Sequence, residues 1–154
     1  MDITGTANGG VYALSYAEPA TLYAFDGSAF EPVVELPNVE GFVLHGSRTD
    51  GAIYIGGVET RTPRRAAIYC YRDGELIDLT ADTNIPPAVA QVTEVRPGLL
   101  FIIADNRVWR FEEGRWSNET GLPAEQRYEL LWSHPDCGVV AHGHTTFINN
   151  LGQE

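Results

Sequence analysis

The stretch that decides the fold is residues 50–79, DGAIYIGGVETRTPRRAAIYCYRDGELIDL. It contains three short apolar runs rich in β-branched and aromatic residues, at 52–55, 67–71 and 76–79. Such runs are typical of β-strands. Asp73-Gly74 separates the second run from the third, and it predicts a tight hairpin because both central positions of a type I′ turn need a positive φ. The stretch therefore predicts three antiparallel strands.

A fourth run, GFVLH at 41–45, lies just before this stretch and joins it through Asp50-Gly51. With short glycine-containing connections, consecutive strands pair with one another. The four runs therefore predict a four-stranded antiparallel sheet in meander order.

This unit recurs along the chain. A glycine in the turn between the first two strands returns about every 40 residues, at Gly10, Gly51, Gly98 and Gly138. A second glycine, before the last strand of each unit, returns with nearly the same period, at Gly27, Gly74, Gly114 and Gly152. Two glycine series with one period predict four repeats, at approximately 2–37, 41–79, 89–120 and 128–154.

A period near 40 residues with four strands per repeat is typical of β-propeller blades. The sequence resembles the kelch and Asp-box group of propellers. Residues 53–57, IYIGG, are similar to the kelch strand that ends in a double glycine, and residues 22–30 and 109–116 resemble the aromatic–turn–aromatic segment of both families. The resemblance covers almost the whole chain and implies an architecture rather than an activity.

The predicted fold is an all-β, β-propeller-type array of four repeats of four-stranded antiparallel sheets, in a single domain over 1–154. Pro32 lacks a backbone N–H and is therefore expected on an edge strand. This agrees with its position in the last strand of its repeat, which lies at the edge of the sheet. The fourth repeat is expected to be incomplete, because the sequence ends just after Gly152. Unpaired backbone along 145–148 would then favour association with a second copy or with a larger partner.

Composition excludes several classes of function. The formal net charge is −11, and all ten basic residues are arginine. Because a chain with this negative charge repels the phosphates of DNA and RNA, no nucleic-acid partner is expected. There is no apolar run of 18 residues, and the first residues lack a signal-peptide pattern, so no membrane contact and a cytoplasmic or virion-associated location are expected. Cys70 and Cys137 fall at different strand positions of different repeats, so reduced thiols are expected.

Candidate partner-contact residues are few. Arg61, Arg64 and Arg65 form the only basic cluster, in the longest loop between two strands of one repeat. Long loops on one face favour binding there, although a solvated loop that balances local charge fits equally well. Two aromatic residues outside the repeat period, Tyr16 and Trp132, are further candidates for exposed contacts.

Other aromatic residues follow the period. One strand position is occupied by Tyr23, Tyr69, Trp109 and Phe147. At this spacing we expect them to be buried between sheets rather than to form a sugar-stacking platform.

A metal site has one candidate pair. His142 and His144 lie on one face of a predicted strand, a spacing that metal sites use. A third ligand would have to come from His45, His134 or Asp136, and nothing in the spacing brings these together. Structural histidines at a strand end are the favoured interpretation, and no metal or cofactor is expected.

No catalytic cluster is predicted. Acidic residues recur in hairpin turns, where they have a conformational role, at Asp26, Asp73, Glu112 and Glu113. The expected function is therefore a non-enzymatic structural or protein-interaction module, for instance a subunit of a larger assembly such as a phage virion. A carbohydrate-binding, lectin-like propeller is the alternative, and a glycoside hydrolase ranks third.

Overall fold

The computed structural model describes residues 1–80, 83–87, 89–119, 127–134, 138–143 and 146–151. These residues form four antiparallel sheets, three with four strands and one with three. The described ranges contain no helix, and therefore none with the length and apolar character needed to cross a membrane. The predicted all-β fold of successive meander sheets is confirmed.

Each sheet is built from consecutive strands. Sheet 1 contains β1 (Asp2–Gly5), β2 (Val11–Leu14), β3 (Ala20–Phe25) and β4 (Phe30–Leu36). Sheet 2 contains β5 (Val39–Gly46), β6 (Ile53–Glu59), β7 (Arg65–Arg72) and β8 (Glu75–Asp78). Sheet 3 contains β9 (Val89–Arg96), β10 (Leu99–Ala104), β11 (Arg107–Glu112) and β12 (Arg115–Asn118). Sheet 4 contains β13 (Tyr128–His134), β14 (Gly138–Gly143) and β15 (Thr146–Leu151).

The hairpin turns follow their local chemistry. Asp73 and Gly74 have φ values of 51° and 83°, so the predicted tight turn is confirmed. Pro32 lies in β4, at the edge of sheet 1, as predicted. Asp105-Asn106 also has two positive φ values, 50° and 58°, and forms the turn between β10 and β11. Asparagine and aspartate tolerate this region better than other non-glycine residues.

The sheets pack face to face in sequence order. Their first strands are neighbours, β1 beside β5, β5 beside β9 and β9 beside β13. Between successive sheets lie three apolar cores. In β6, Ile53 and Ile55 pack towards sheet 1, whereas Tyr54 packs towards sheet 3. Alternate side chains of one strand thus fill two different cores.

The apolar run LLFII at 99–103 has the same property. Phe101 packs towards sheet 4, and Leu100 and Ile102 pack towards sheet 2. The side chains of β10 are all buried, so the predicted burial of this strand on both faces is confirmed.

A polar contact also recurs at the three junctions between sheets. In each case a side chain from the first strand of one sheet accepts a backbone N–H from the first strand of the next. Asp2 Oδ2 accepts from Leu44 N at 2.9 Å, His45 Nε2 accepts from Glu94 N at 3.1 Å, and Gln91 Oε1 accepts from Leu131 N. These bonds satisfy amides on the first strands of sheets 2, 3 and 4 and fix neighbouring sheets to one another.

The expected burial of the periodic aromatic residues is wrong in part. Tyr69 and Trp109 are only half-buried. Tyr69 packs at the margin of a core and lies beside the Asp78 and Glu59 carboxylates, and Trp109 lines an open groove. Tyr23 is also half-buried. The side chain of Phe147 lies outside the described part of the chain.

Candidate functional site

The outer face of sheet 1 carries exposed apolar side chains. Ile3, Val11, Phe25 and Phe30 lie on it, and we call these four residues the end face of sheet 1. Ile3 is 57% exposed and Phe25 is 42% exposed. Leu14 of β2 and Leu22 of β3 point the other way and pack in the core between sheets 1 and 2. Sheet 1 therefore carries apolar side chains on both faces, whereas a free antiparallel sheet usually turns a polar face to water.

The Phe25–Phe30 pair has half-buried equivalents in the next two sheets. It lies across β3 and β4 just before the hairpin turn, with ring centroids 5.2 Å apart at 45°. The cross-strand pairs at this position in sheets 2 and 3 are Tyr71–Leu76 and Phe111–Trp116. The ring centroids of Phe111 and Trp116 are 4.9 Å apart, and the rings are tilted by 46°. Both of these pairs pack against the core shared with the preceding sheet, but the pair in sheet 1 is exposed.

The outer face of sheet 4 also carries exposed apolar side chains, and His142 lies opposite Leu130 on the same face. Leu130, Trp132 and Val140 lie on it, and we call these three residues the end face of sheet 4. Trp132 is 51% exposed and lies opposite Val140 in the ladder. Leu131, between Leu130 and Trp132, points instead into the core shared with sheet 3. Trp132, a predicted contact residue, is therefore placed at one end of the stack.

The arginine loop lies at a different place, between β6 and β7. Arg61 and Arg64 are exposed, as expected. Arg65 was expected to be exposed with them, but it is half-buried, because its guanidinium forms ion pairs with Glu59 and with Asp78, the latter at 3.4 Å. Arg65 thus joins the strands of its own sheet.

One other predicted contact residue lies near this loop. Thr60 Oγ1 donates to Glu18 Oε1 at 2.5 Å, which brings the arginine loop beside the loop between β2 and β3. Tyr16 belongs to that second loop and is exposed. The structure therefore places Tyr16 near the arginine loop and Trp132 away from both, on sheet 4.

A buried polar network lies between sheets 2 and 3. Glu94 is 4% exposed. Its Oε2 accepts from Ser47 Oγ at 2.5 Å, and its Oε1 accepts from the Tyr54 hydroxyl at 2.9 Å. Thr49 Oγ1 lies 3.5 Å from Oε2. The carboxylate thereby fixes the loop between β5 and β6 against β9.

Two titratable groups of this network are neutral at neutral pH. Burial, and then the nearby Glu94 carboxylate, raise the pKa of Tyr54 well above its usual value, so the phenol remains a donor. Burial, and then Arg48, lower the pKa of His45 to about 4. Its neutral imidazole can therefore accept the Glu94 N–H. Sequence reasoning missed Glu94. The sequence does contain one indication of its burial, since Glu94 is two residues from the buried Val92 on β9 and therefore lies on the same face of the strand.

The histidines do not converge in the described structure. His142 is exposed on β14, and His144 lies outside the described residues. His45 contacts β9 from sheet 2, so sheet 3 separates it from His142. In the described ranges, no three His, Cys, Asp or Glu side chains are grouped so that they could hold a metal ion.

The turn acids have conformational partners. Asp26 Oδ1 accepts from the backbone N–H groups of Ser28 and Ala29 at 2.7 and 2.8 Å, and these bonds lower the pKa of Asp26. Glu112 forms ion pairs with Arg96 and Arg110 at 2.9 and 2.6 Å. Cys70, on β7, is a free and buried thiol.

A groove of about 440 Å³ opens beside sheet 3. Trp109, Trp116 and Ile85 supply its apolar lining, and Asn84 and Arg115 are among its polar residues. Trp116 Nε1 donates to the Leu79 carbonyl at 2.7 Å, which fixes this indole. The buried Nε1 of Trp109 has no acceptor among the described residues.

Comparisons with known proteins identify no family. No protein-family model matches the chain, and no curated protein matches it.

Proposed function

We propose that the chain is a non-enzymatic structural and protein-interaction module, and that its four sheets are consecutive blades of a β-propeller-type array. The neighbouring first strands and the cores between successive sheets support this arrangement. Propellers place four-stranded meander sheets around an axis in the same way.

The observation that carries the proposed function is the pair of exposed apolar end faces. Exposed apolar side chains are common singly, but a contiguous group of them marks an interaction site. On sheet 1, Phe25 and Phe30 are in contact across the ladder. On sheet 4, Trp132 lies opposite Val140. Large aromatic side chains are also the residues that contribute most to protein interfaces.

Affinity capture tests this function. A tagged wild-type chain and a tagged Phe25→Arg, Trp132→Arg variant are used to capture proteins from cells that make the chain, and mass spectrometry identifies them. We expect a protein that binds the wild type and is lost with the variant. An Arg61→Glu, Arg64→Glu variant is the matched control for the arginine loop and should retain the protein. Identical captured sets from the wild type and the end-face variant would contradict the proposal.

The groove beside sheet 3 favours a second candidate function, carbohydrate binding. Indole rings stack on the apolar faces of sugar rings, while polar residues such as Asn84 and Arg115 can bond to sugar hydroxyls. Screening on a glycan array, followed by titration of tryptophan fluorescence with any sugar that binds, tests this function. Binding should be lost in Trp116→Ala and unaffected by Trp132→Arg. An array without a signal would refute it.

A further inference from the structure

We propose that the partner of the end face of sheet 1 is the end face of sheet 4 of a second copy of this chain. Two copies then join head to tail. This inference rests on the proposed function, because it identifies the occupant of the surfaces on which that function depends.

The first argument is the continuity of an interface already present in the chain. Sheet 1 packs on sheet 2, sheet 2 on sheet 3, and sheet 3 on sheet 4. Each inner sheet therefore uses one face to pack on the sheet before it in sequence and its other face to pack on the sheet after it. The two end faces are the remaining halves of this same interface. A second copy presents both halves in the required order.

The second argument is the position of the exposed side chains. Phe25 and Phe30 occupy the place of Phe111 and Trp116, which pack against sheet 2. The end face of sheet 1 thus has side chains at positions that, in sheet 3, are partly covered by the preceding sheet.

The end face of sheet 4 has the complementary arrangement. Leu130 and Trp132 flank the core residue Leu131 as Val43 and His45 flank the core residue Leu44. Val43 packs in the core between sheets 2 and 3, and His45 accepts a backbone N–H of sheet 3. Side chains at these positions therefore face the next sheet.

Side chains of both end faces are open to solvent in a single copy. Ile3 and Trp132 are each more than half exposed. The interface is heterologous, since the two surfaces differ, and such interfaces either close into a ring or extend as a fibre. Two copies bring together eight sheets, which is within the range of four to eight blades known for propellers. A closed pair buries both end faces of each copy.

The charge of the chain predicts how this pairing depends on salt. Each copy has a formal net charge of −11, so two copies repel each other. Salt screens this repulsion with a Debye length of about 10 Å at 0.1 M. Self-association should therefore tighten as sodium chloride increases.

The first experiment measures molar mass by light scattering over a range of concentrations. We expect the wild type to approach twice its 16.9 kDa. Phe25→Arg and Trp132→Arg should each weaken self-association at least about 30-fold, as expected for a central interface residue. Ile77→Arg is the matched control, because Ile77 is 48% exposed but lies on β8, away from both end faces. It should leave self-association unchanged.

Mixing the two variants tests the head-to-tail geometry. Phe25→Arg retains a wild-type end face on sheet 4, and Trp132→Arg retains one on sheet 1. A mixture of the two monomeric variants should therefore form a heterodimer through one intact interface. Pairing of identical faces predicts instead that only one of the two substitutions prevents dimer formation, and that result would overturn the proposal.

Hydrogen exchange tests the same inference on the wild-type chain, without any substitution. Protection of peptides from β3 and β13 should increase with protein concentration, and no increase would overturn the inference. A wild type that remains monomeric at every concentration and salt level overturns it as well. If such a monomer still captures a protein of different sequence through its end faces, the proposed function stands and only the second copy is wrong.

Discussion

Replacing Glu94 with leucine tests the hydrogen-bonding role of its carboxylate while nearly preserving the volume of the side chain. The substitution keeps an apolar side chain of similar size in the core between sheets 2 and 3, but it removes the acceptor of two buried hydroxyl groups. Ser47 is fully buried and Tyr54 is 3% exposed, so neither can turn to water. Each unsatisfied buried donor costs roughly 1–3 kcal/mol. Ser47 Oγ lies 3.0 Å from Thr49 Oγ1 and can donate there instead, so the Tyr54 hydroxyl is the donor left without an acceptor. The substitution should therefore lower the free energy of unfolding by about 1–3 kcal/mol.

A second contribution to the free energy of unfolding has the opposite sign and sets the lower end of that range. Burial of a carboxylate is itself unfavourable, and an apolar residue removes that cost. The gain is realised in full only when the Tyr54 hydroxyl is removed as well. Ser47 is kept, because its Oγ accepts the backbone N–H groups of Thr49 and Asp50. A double variant with Tyr54→Phe and Glu94→Leu should therefore recover most of the loss and lie within about 1.5 kcal/mol of the wild type.

Urea unfolding followed by tryptophan fluorescence measures both variants. With a slope of about 2 kcal/mol per molar urea, Glu94→Leu should lower the midpoint by about 0.5–1.5 M. Glu112→Leu is the control, since its ion pairs are half exposed and are worth about 1 kcal/mol or less. An unchanged midpoint for Glu94→Leu would refute the reasoning, because it would mean that the carboxylate does not hold the Tyr54 hydroxyl.

Four further outcomes are expected. Gly74→Val should cost at least about 1 kcal/mol, because Gly74 has a φ of 83° that β-branched residues tolerate poorly; an unchanged melting temperature would contradict the hairpin register. Phe101→Ala should cost about 3–5 kcal/mol in urea unfolding, since this ring is fully buried between sheets 3 and 4; a loss below 1 kcal/mol would mean that the core is not packed there. The pKa of His45 is lowered to about 4, so the unfolded chain binds more protons than the folded chain between pH 6.5 and 4. The free energy of unfolding should therefore fall as pH falls through this window. His45→Gln should reduce that loss, and a pH profile identical to that of the wild type would argue against this role of His45. Arg65→Glu should destabilise the fold because it opposes Glu59 and Asp78, whereas Arg64→Glu should leave thermal unfolding unchanged; equal effects of the two would show that the Arg65 ion pairs do not contribute.

The strands and turns could be predicted from the sequence because their signals are local. The run at 99–103 and the dipeptide Asp73-Gly74 each determine a strand or a turn from a few adjacent residues. The glycine period then gave the number of sheets, which needs no knowledge of how the sheets pack.

The network around Glu94 could not be predicted in this way. Its partners Ser47 and Tyr54 lie in another sheet, more than 39 residues away along the chain. Their contact depends on the angle and offset between two sheets, and side-chain pattern alone does not fix these. Arg65 was misplaced for a related reason. Its proximity to Arg61 and Arg64 in sequence indicated a basic loop, but it is the first residue of β7, where cross-strand neighbours determine its environment.

The order of packing has a consequence for how the chain reaches its fold. Every sheet is a meander of consecutive strands, and every core joins a sheet to the one before it in sequence. Each completed sheet is therefore a template on which the next can form as soon as its residues leave the ribosome, and no part of a core has to wait for a distant segment. Assembly can proceed in one direction, from the amino terminus onwards, with each new sheet covering the apolar face that the previous one exposed.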